Sequence, residues 1–254
     1  MITKRIDYEL DRRIIQTYLK ESFSWGGLSG QRVNNWNVWI NTNVFMTTIL
    51  TVEQNKTSEV INKIIKSVDD WINWYGDDGG CDEGPGYWYQ AAGRFIQFLF
   101  YMTSASNHQI DFSKDKLFNS IGSYIYKMHI DGEYFVNFAD AHPRQITDPS
   151  LVYLYGQMFN NTDMKEFAAF LYHLNTKYLV SKDLAGTLHL YNIQMSSLQS
   201  LIKTTPKAPQ PLESWFPDLQ VVTLRSQKGS AKGLFLGAKA GTNGLLFDIN
   251  YVFE

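Results

Sequence analysis

Three stretches of this chain gather residue types that can hold and transform a polar substrate. The first, NNWNVWINTN, sets Asn34, Asn37 and Asn41 at i, i+3 and i+7, which lines one helix face with amides. Asn is a poor helix former, and three in register facing a cavity would offer donors to hydroxyls or a carboxylate. The plainer reading is an N-cap at Asn34 or Asn35 followed by a solvated polar face. Trp36 and Trp39 make the stretch denser than a cap requires, so they join Asn34, Asn35 and Asn37 as candidate substrate contacts. Trp39, Met46 and Leu50 recur on another face, which is expected to be the core side.

The second stretch, DDGGCDEGPGYWYQAAG at 77–93, packs Asp77, Asp78, Asp82 and Glu83 ahead of Gly84-Pro85-Gly86 and then Tyr87, Trp88 and Tyr89. Neighbouring carboxylates repel, which either raises one toward acid/base work or favours a cation. The alternation of a calcium loop with its distal Glu is missing, so no metal is expected. Glu83 is expected to bind substrate at the entry of the next helix, with Tyr87 and Trp88 beside it. The third stretch, HIDGEYFVNFADAHPRQ, inserts Asn137, Asp140, His142 and Arg144 into aromatics, and its Ala-His-Pro ending does not suit a helix. Tyr134, His142 and Arg144 offer a base, an acid and a carboxylate clamp within eleven positions. His108, His129, His173 and His189 occupy ordinary surroundings and are given no role.

Composition narrows the partners. The 254 residues carry a net charge of −2, without the basic field that drives nucleic-acid binding. A single cysteine excludes an internal disulfide and an all-cysteine zinc site. Aromatic residues make up 15%, and Tyr and Trp suit surfaces that stack on amphipathic ligands such as sugar rings. No apolar run reaches the roughly 18 residues of a membrane span, and the charged start has no secretory h-region. Nucleotide-binding glycine fingerprints, P-loops, HExxH and GxSxG elbows are absent from the sequence.

These candidate residues must be positioned by an array of helices. Apolar periodicity predicts helices over 3–20, from Asn34 to Val52, and over 58–74, 87–103, 113–129, 148–160 and 163–180, with a weaker one at 188–202. At Thr204 the texture changes, because TTPKAPQPLES holds three prolines and marks a boundary. Beyond it WFPDLQVVTLRS, GLFLGAKAG and LLFDINYVFE read as three strands. The expected fold is mainly α, with a helical domain at 1–203, a Pro-rich linker at 204–212 and a short, incomplete antiparallel β segment at 213–254.

Taken in order, NNWNVWINTN, DDGGCDEGPGYW and YFVNFADAHPR resemble the heparinase II/III-like polysaccharide lyases, and so does WFPDLQVVTLRS followed by GLFLGAKAGTNG. The resemblance covers residues 30 to 244. It implies an incomplete α/α toroid of helical hairpins leading into a β-sandwich cut short, and β-elimination on a uronic-acid polysaccharide. In that chemistry a donor neutralises the uronate carboxylate, a base removes the adjacent proton, and an acid protonates the leaving glycosidic oxygen. The resemblance places Asn34 and Asn35 as neutralisers and Glu83 as a substrate-binding acid. Tyr87 or Tyr134 would exchange the proton, with His142 and Arg144 nearby. Trp36 and Gly80 stand where relatives carry histidines, and the tail leaves the family pattern after GAKAGTNG, so slow or absent turnover is expected. No cofactor is expected, although family members hold a metal in the β-sandwich. The partner implied is an acidic polysaccharide, without nucleic acid or membrane, and the location implied is periplasmic or secreted. Two other readings compete: a non-catalytic acidic-glycan-binding domain, and a glycoside hydrolase on the same scaffold that pairs Asp82 or Glu83 with Asp140.

Overall fold

The computed structural model describes residues 2–28, 30, 32–51, 54–145, 147–174 and 198–241. The architecture is mainly helical with two small antiparallel sheets. Helix α1 (Ile2–Leu10) passes through a π-turn at Asp11–Ile15 into α2 (Gln16–Lys20), and α3 (Trp36–Thr51) and α4 (Gln54–Asn73) follow. Then come α5 (Ala92–Ala105), α6 (Lys116–Lys127), the hairpin β1 (His129–Asp131) and β2 (Tyr134–Phe135), α7 (Pro149–Met158) and α8 (Thr162–Leu174). A second sheet, in the order β3-β4-β5, is built from Glu213–Phe216, Val221–Arg225 and Phe235–Lys239. Among the described residues no helix is long and apolar enough to cross a membrane.

The chain forms two compact units, Met1–Tyr75 with Gln97–Asp111, and Gly76–Ile96 with Phe112–Glu254. The second unit holds the β strands together with α6–α8. Of the three expected strands, two regions supply β3–β5, and LLFDINYVFE lies outside the described residues, as does most of the expected helix at 188–202.

Local chemistry sets the helix ends. Asp115 caps α6 by accepting from the Phe118 N–H at 2.9 Å, and Asp148 caps α7 by accepting from the Ser150 N–H at 2.8 Å. Pro149 follows that cap at the first helical position, where its missing N–H costs nothing. Asn160, at φ 49, closes α7 in the left-handed conformation that Asn tolerates. The expected helix at 87–103 begins five residues later, at Ala92, because 84–91 is a run of turns. In that run Gly84 N–H donates to the Cys81 carbonyl, Tyr87 N–H to Gly84 and Gln90 N–H to Tyr87.

In the first unit the amide face of α3 is buried, while of the expected core face Trp39 and Met46 are half-buried. Asn37 and Asn41 are completely buried, together with Val38, Phe45 and Thr48, whereas Leu50 is 73% exposed. Burial is tolerated because the amides are satisfied. Asn37 Nδ2 donates to the carbonyls of Trp25 and Ser67 and to Ser67 Oγ at 2.9–3.0 Å. Asn41 Nδ2 donates to Ser67 Oγ at 2.8 Å, and its Oδ1 accepts from the Tyr18 hydroxyl at 2.7 Å. The i, i+4 pair thus closes a polar network inside the α3–α4 hairpin.

In the second unit, Phe216 of β3 meets Tyr124 of α6 edge-on at 5.3 Å between ring centroids, which seats the second sheet against that helix. Val221 and Thr223 face inward beside it. The opposite face of the sheet leaves Trp215, Leu224 and Leu236 exposed.

Candidate functional site

A cavity of about 800 Å³ opens in the second unit, lined by Pro85, Gly86, Tyr87, Tyr89 and Gln90 from one stretch and by Asn137, 139–145 and Thr147 from another. The residues that build it explain the odd composition of both stretches. Gly84, at φ 85, sits so close to the second wall that a Cβ on it would lie 2.5 Å from the Phe138 carbonyl oxygen. A Cβ on Gly86 would lie 3.1 Å from Ala141 Cα. Only glycine allows this backbone-to-backbone approach, and Pro85 between them fixes the path. The Gly-Pro-Gly segment is therefore a docking joint that presents Tyr87 and Tyr89 opposite Asp140 and His142 across the cavity.

The acidic residues before the joint serve a different purpose. Asp78 Oδ2 accepts from the backbone N–H groups of Asp218 and Leu219 at 2.8 and 3.0 Å, and Asp218 Oδ2 accepts from Asp78 N–H at 3.3 Å. Asp78 Oδ1 also accepts from Gly80 N–H at 2.7 Å. The DDGG loop and the WFPD turn between β3 and β4 are thus clamped to each other by reciprocal carboxylate–amide bonds. Gly76 and Gly80 leave room for the approach, since a Cβ on either would come within 3 Å of Asp218 or Leu219.

The second wall hangs on the β1–β2 hairpin. Phe135 N–H donates to the Pro143 carbonyl and Gln145 N–H to the Glu133 carbonyl, both at 2.9 Å, and Tyr134 and Arg144 face each other across this antiparallel bridge. Residues directly opposite on such a pair project to the same side. Arg144 Nε and Nη2 accordingly both donate to the Tyr134 hydroxyl, at 3.0 and 2.7 Å, with the guanidinium 5.0 Å from the ring centroid. These bonds push the Arg144 guanidinium further up, so its charge is permanent. The phenol oxygen accepts both N–H groups, and no protein acceptor faces the hydroxyl among the described residues. Arg144 lines the cavity, and Tyr134, 44% exposed, is bonded to it without being a lining residue itself.

Of the residues singled out from sequence, Tyr87, Asn137, Asp140, His142 and Arg144 line this cavity, and Tyr134 reaches it through Arg144. Trp88 does not: it is fully buried, its Nε1 donating to the Ile121 carbonyl at 2.9 Å and its ring 5.7 Å from that of Tyr155. The expected sugar platform is a core residue, because the turns at 84–91 rotate it inward. Glu83 is half-buried in the turn before the joint and is not among the lining residues. Tyr89, Gln90 and Gln145 line the cavity although sequence reasoning gave them no role. The alternation of Tyr87 and Tyr89 about the buried Trp88 was the available signal for Tyr89.

The asparagine-rich stretch lies in the first unit. Asn34 Oδ1 accepts from Trp36 N–H at 3.1 Å, a capping bond at the start of α3, so the plainer reading holds for its side chain. Asn35 is buried, Trp36 is 56% exposed and Trp39 is half-buried. Asn37 has its amide spent on Ser67 and Trp25, and the structure replaces its expected substrate contact with an internal bond. Among the described residues no group of three or more His, Cys, Asp or Glu is placed to hold a metal ion. Compared with protein-family models and with curated proteins, the chain matches none.

Proposed function

We propose that the chain is a heparinase II/III-like polysaccharide lyase domain that binds a uronic-acid polysaccharide in the 85–147 cavity and cleaves it by β-elimination. The observation that carries this reading is the Tyr134–Arg144 pair, a phenol whose oxygen accepts two guanidinium N–H groups from an arginine that lines a cavity of amides and tyrosines. Arg144 supplies a fixed positive charge for a uronate carboxylate, and Asn137 and Gln90 supply neutral donors for hydroxyls. With the carboxylate neutralised, the adjacent C–H is acidic enough for a base to remove its proton. Either Tyr87 or Tyr134 exchanges that proton and the one delivered to the leaving glycosidic oxygen, and His142 serves as the second proton-handling group. Neutralisation is assigned to Arg144 and Asn137, which line the cavity, instead of Asn34 and Asn35. The two helix pairs joined by short connections, α3–α4 and α7–α8, support an α/α toroid of hairpins.

The second reading, a glycan-binding domain without turnover, is favoured by the exposed Tyr89, which with Tyr87 offers stacking faces at the cavity lip. The hydrolase reading loses ground, since Asp140 is the one carboxylate among the lining residues and a two-carboxylate mechanism needs another across the cleft. Incubation with a panel of uronate polysaccharides, followed by the ultraviolet absorbance of the unsaturated product, tests the lyase. Tyr134→Phe is expected to lower turnover by about 100-fold or more with binding kept within a few-fold. Binding without any unsaturated product on every acidic glycan would leave the second reading standing and end the first.

A further inference from the structure

The β1–β2 hairpin that carries Tyr134 is anchored by a group with no part in the chemistry above. His129 is 1% exposed and directly opposite Phe135 in the hairpin. Its ring lies 5.1 Å from the centroids of Phe135 and Phe167 and 5.4 Å from that of Phe170. Nε2 is 2.9 Å from the Gly132 carbonyl, which fixes the N–H on that nitrogen in the neutral ring. Nδ1 is buried without a hydrogen-bond partner among the described residues.

Each neighbouring element argues against a charged ring here. From α8 the facing side chains are Phe167 and Phe170, and from β2 Phe135, none of which accepts an N–H in its plane. From β4 comes the guanidinium of Arg225, whose Nη2 donates to the carbonyls of His129 and Ile130. From β1 itself comes the carboxylate of Asp131, the one acidic group acting on the ring. Burial, with Arg225 opposing any added charge, holds the imidazole down at about 4.

We propose that His129 is an acid-sensitive latch on the cavity wall: seated and neutral it holds the β1–β2 hairpin in place, and protonated it is expelled from its aromatic cage and releases the wall that carries Tyr134 and Arg144. The coupling is direct. Val136 N–H donates to Met128, Phe135 N–H to Pro143 and Gln145 N–H to Glu133, so the backbone that leaves with His129 is the backbone that aligns Tyr134 with Arg144. The transition is reversible and needs only a proton.

Amide hydrogen exchange on the whole chain between pH 7.5 and 4.5, corrected for intrinsic rates, tests this. Protection in 128–136 and 143–145 should fall on the order of 50-fold in the wild type, the ratio set by a ring that titrates at 6.5 when released and at about 4 when seated. Protection in α3 and α4 should change far less. In His129→Gln, which keeps a donor for Gly132 but cannot be charged, the pH dependence of the hairpin should disappear. An unchanged wild-type hairpin, a variant with the same pH dependence, or a loss spread equally over α3 and α4 would each overturn the latch. Should the variant fail to fold, ring chemical shifts of His129 in the wild type decide. A midpoint near 6.5 with hairpin protection intact would overturn it, and a ring that stays neutral until the hairpin opens would support it.

Discussion

Gly84→Ala attacks the joint on which the cavity depends, and its cost follows from two separable effects. The first is backbone strain, since an L-residue at φ 85 costs about 1–2 kcal/mol relative to glycine. The second is collision: the new Cβ would stand 2.5 Å from the Phe138 carbonyl, against an ordinary contact of 3.4 Å or more. Wall residues 138–141 must therefore retreat by about 0.9 Å, a rearrangement on the scale of overpacking a filled interior, about 1–3 kcal/mol. Gly229→Ala supplies the control, because Gly229 has φ 69 and nothing within 4 Å of its would-be Cβ. It should show the strain alone. Urea unfolding followed by circular dichroism should then place Gly84→Ala about 2–5 kcal/mol below the wild type and Gly229→Ala about 1–2 kcal/mol below it. Affinity for a uronate oligosaccharide, measured calorimetrically, should drop at least about tenfold only in Gly84→Ala, because Tyr87 moves with the joint. Equal stability losses in the two variants would refute the close approach, and with it the explanation of why a glycine stands at 84.

Other perturbations have outcomes fixed by the same geometry. Asp78→Ala should cost about 2–3 kcal/mol in urea unfolding by stranding the Asp218, Leu219 and Gly80 N–H groups, and Asp78→Asn, which keeps an acceptor, should cost about half as much. Asn37→Ala should raise hydrogen exchange across α3 and α4 by an amount equivalent to about 2 kcal/mol, through loss of its bonds to Ser67 and Trp25, while uronate affinity stays unchanged. Trp88→Phe should cost about 1–2 kcal/mol in thermal or urea stability, and it too should leave glycan affinity within a factor of two, as expected of a core ring. His129 binds its proton near 6.5 when unfolded and near 4 when folded, so its contribution is complete above pH 6.5 and is lost as pH falls through that window to about 4. The loss amounts to about 3 kcal/mol, visible as a steeper acid decline in the wild type than in His129→Gln.

Helical periodicity located α3 to α8 because each of these has a buried stripe, whereas α1 buries no residue. The caps Asp115 and Asp148 lie at the starts of α6 and α7. What periodicity misjudged was polarity. Asn37 and Asn41 read as an outward amide face because nothing local shows that Ser67, some thirty residues on, satisfies them. The same blindness to distant partners hid the Asp78–Asp218 clamp, whose residues are 140 positions apart. It turned a structural pair of loops into a cluster of candidate acids. Trp88 and Tyr87 are adjacent in sequence but face opposite ways, because the turns after Pro85 break the helix that the apolar run suggested. By contrast, the FVNFADAHPR string was legible as non-helical: its Ala-His-Pro ending and dense polar content belong to one local hairpin, where Tyr134 and Arg144 lie ten residues apart. His129 looked ordinary, since its significance lies in Phe167, Phe170 and Arg225, which arrive from other elements.

The most direct test of the account is whether Arg144 and Tyr134 meet a uronate carboxylate. With the chain labelled with nitrogen-15 at its arginine side chains, titration should shift the Arg144 Nε–H resonance when a uronate oligosaccharide is added. The same oligosaccharide with its carboxyl groups reduced to alcohols should leave that resonance in place, and Tyr134→Phe should alter the starting position of the signal. An Arg144 resonance that ignores the acidic sugar, or that moves equally for the reduced one, would contradict the assignment of this cavity to acidic glycans.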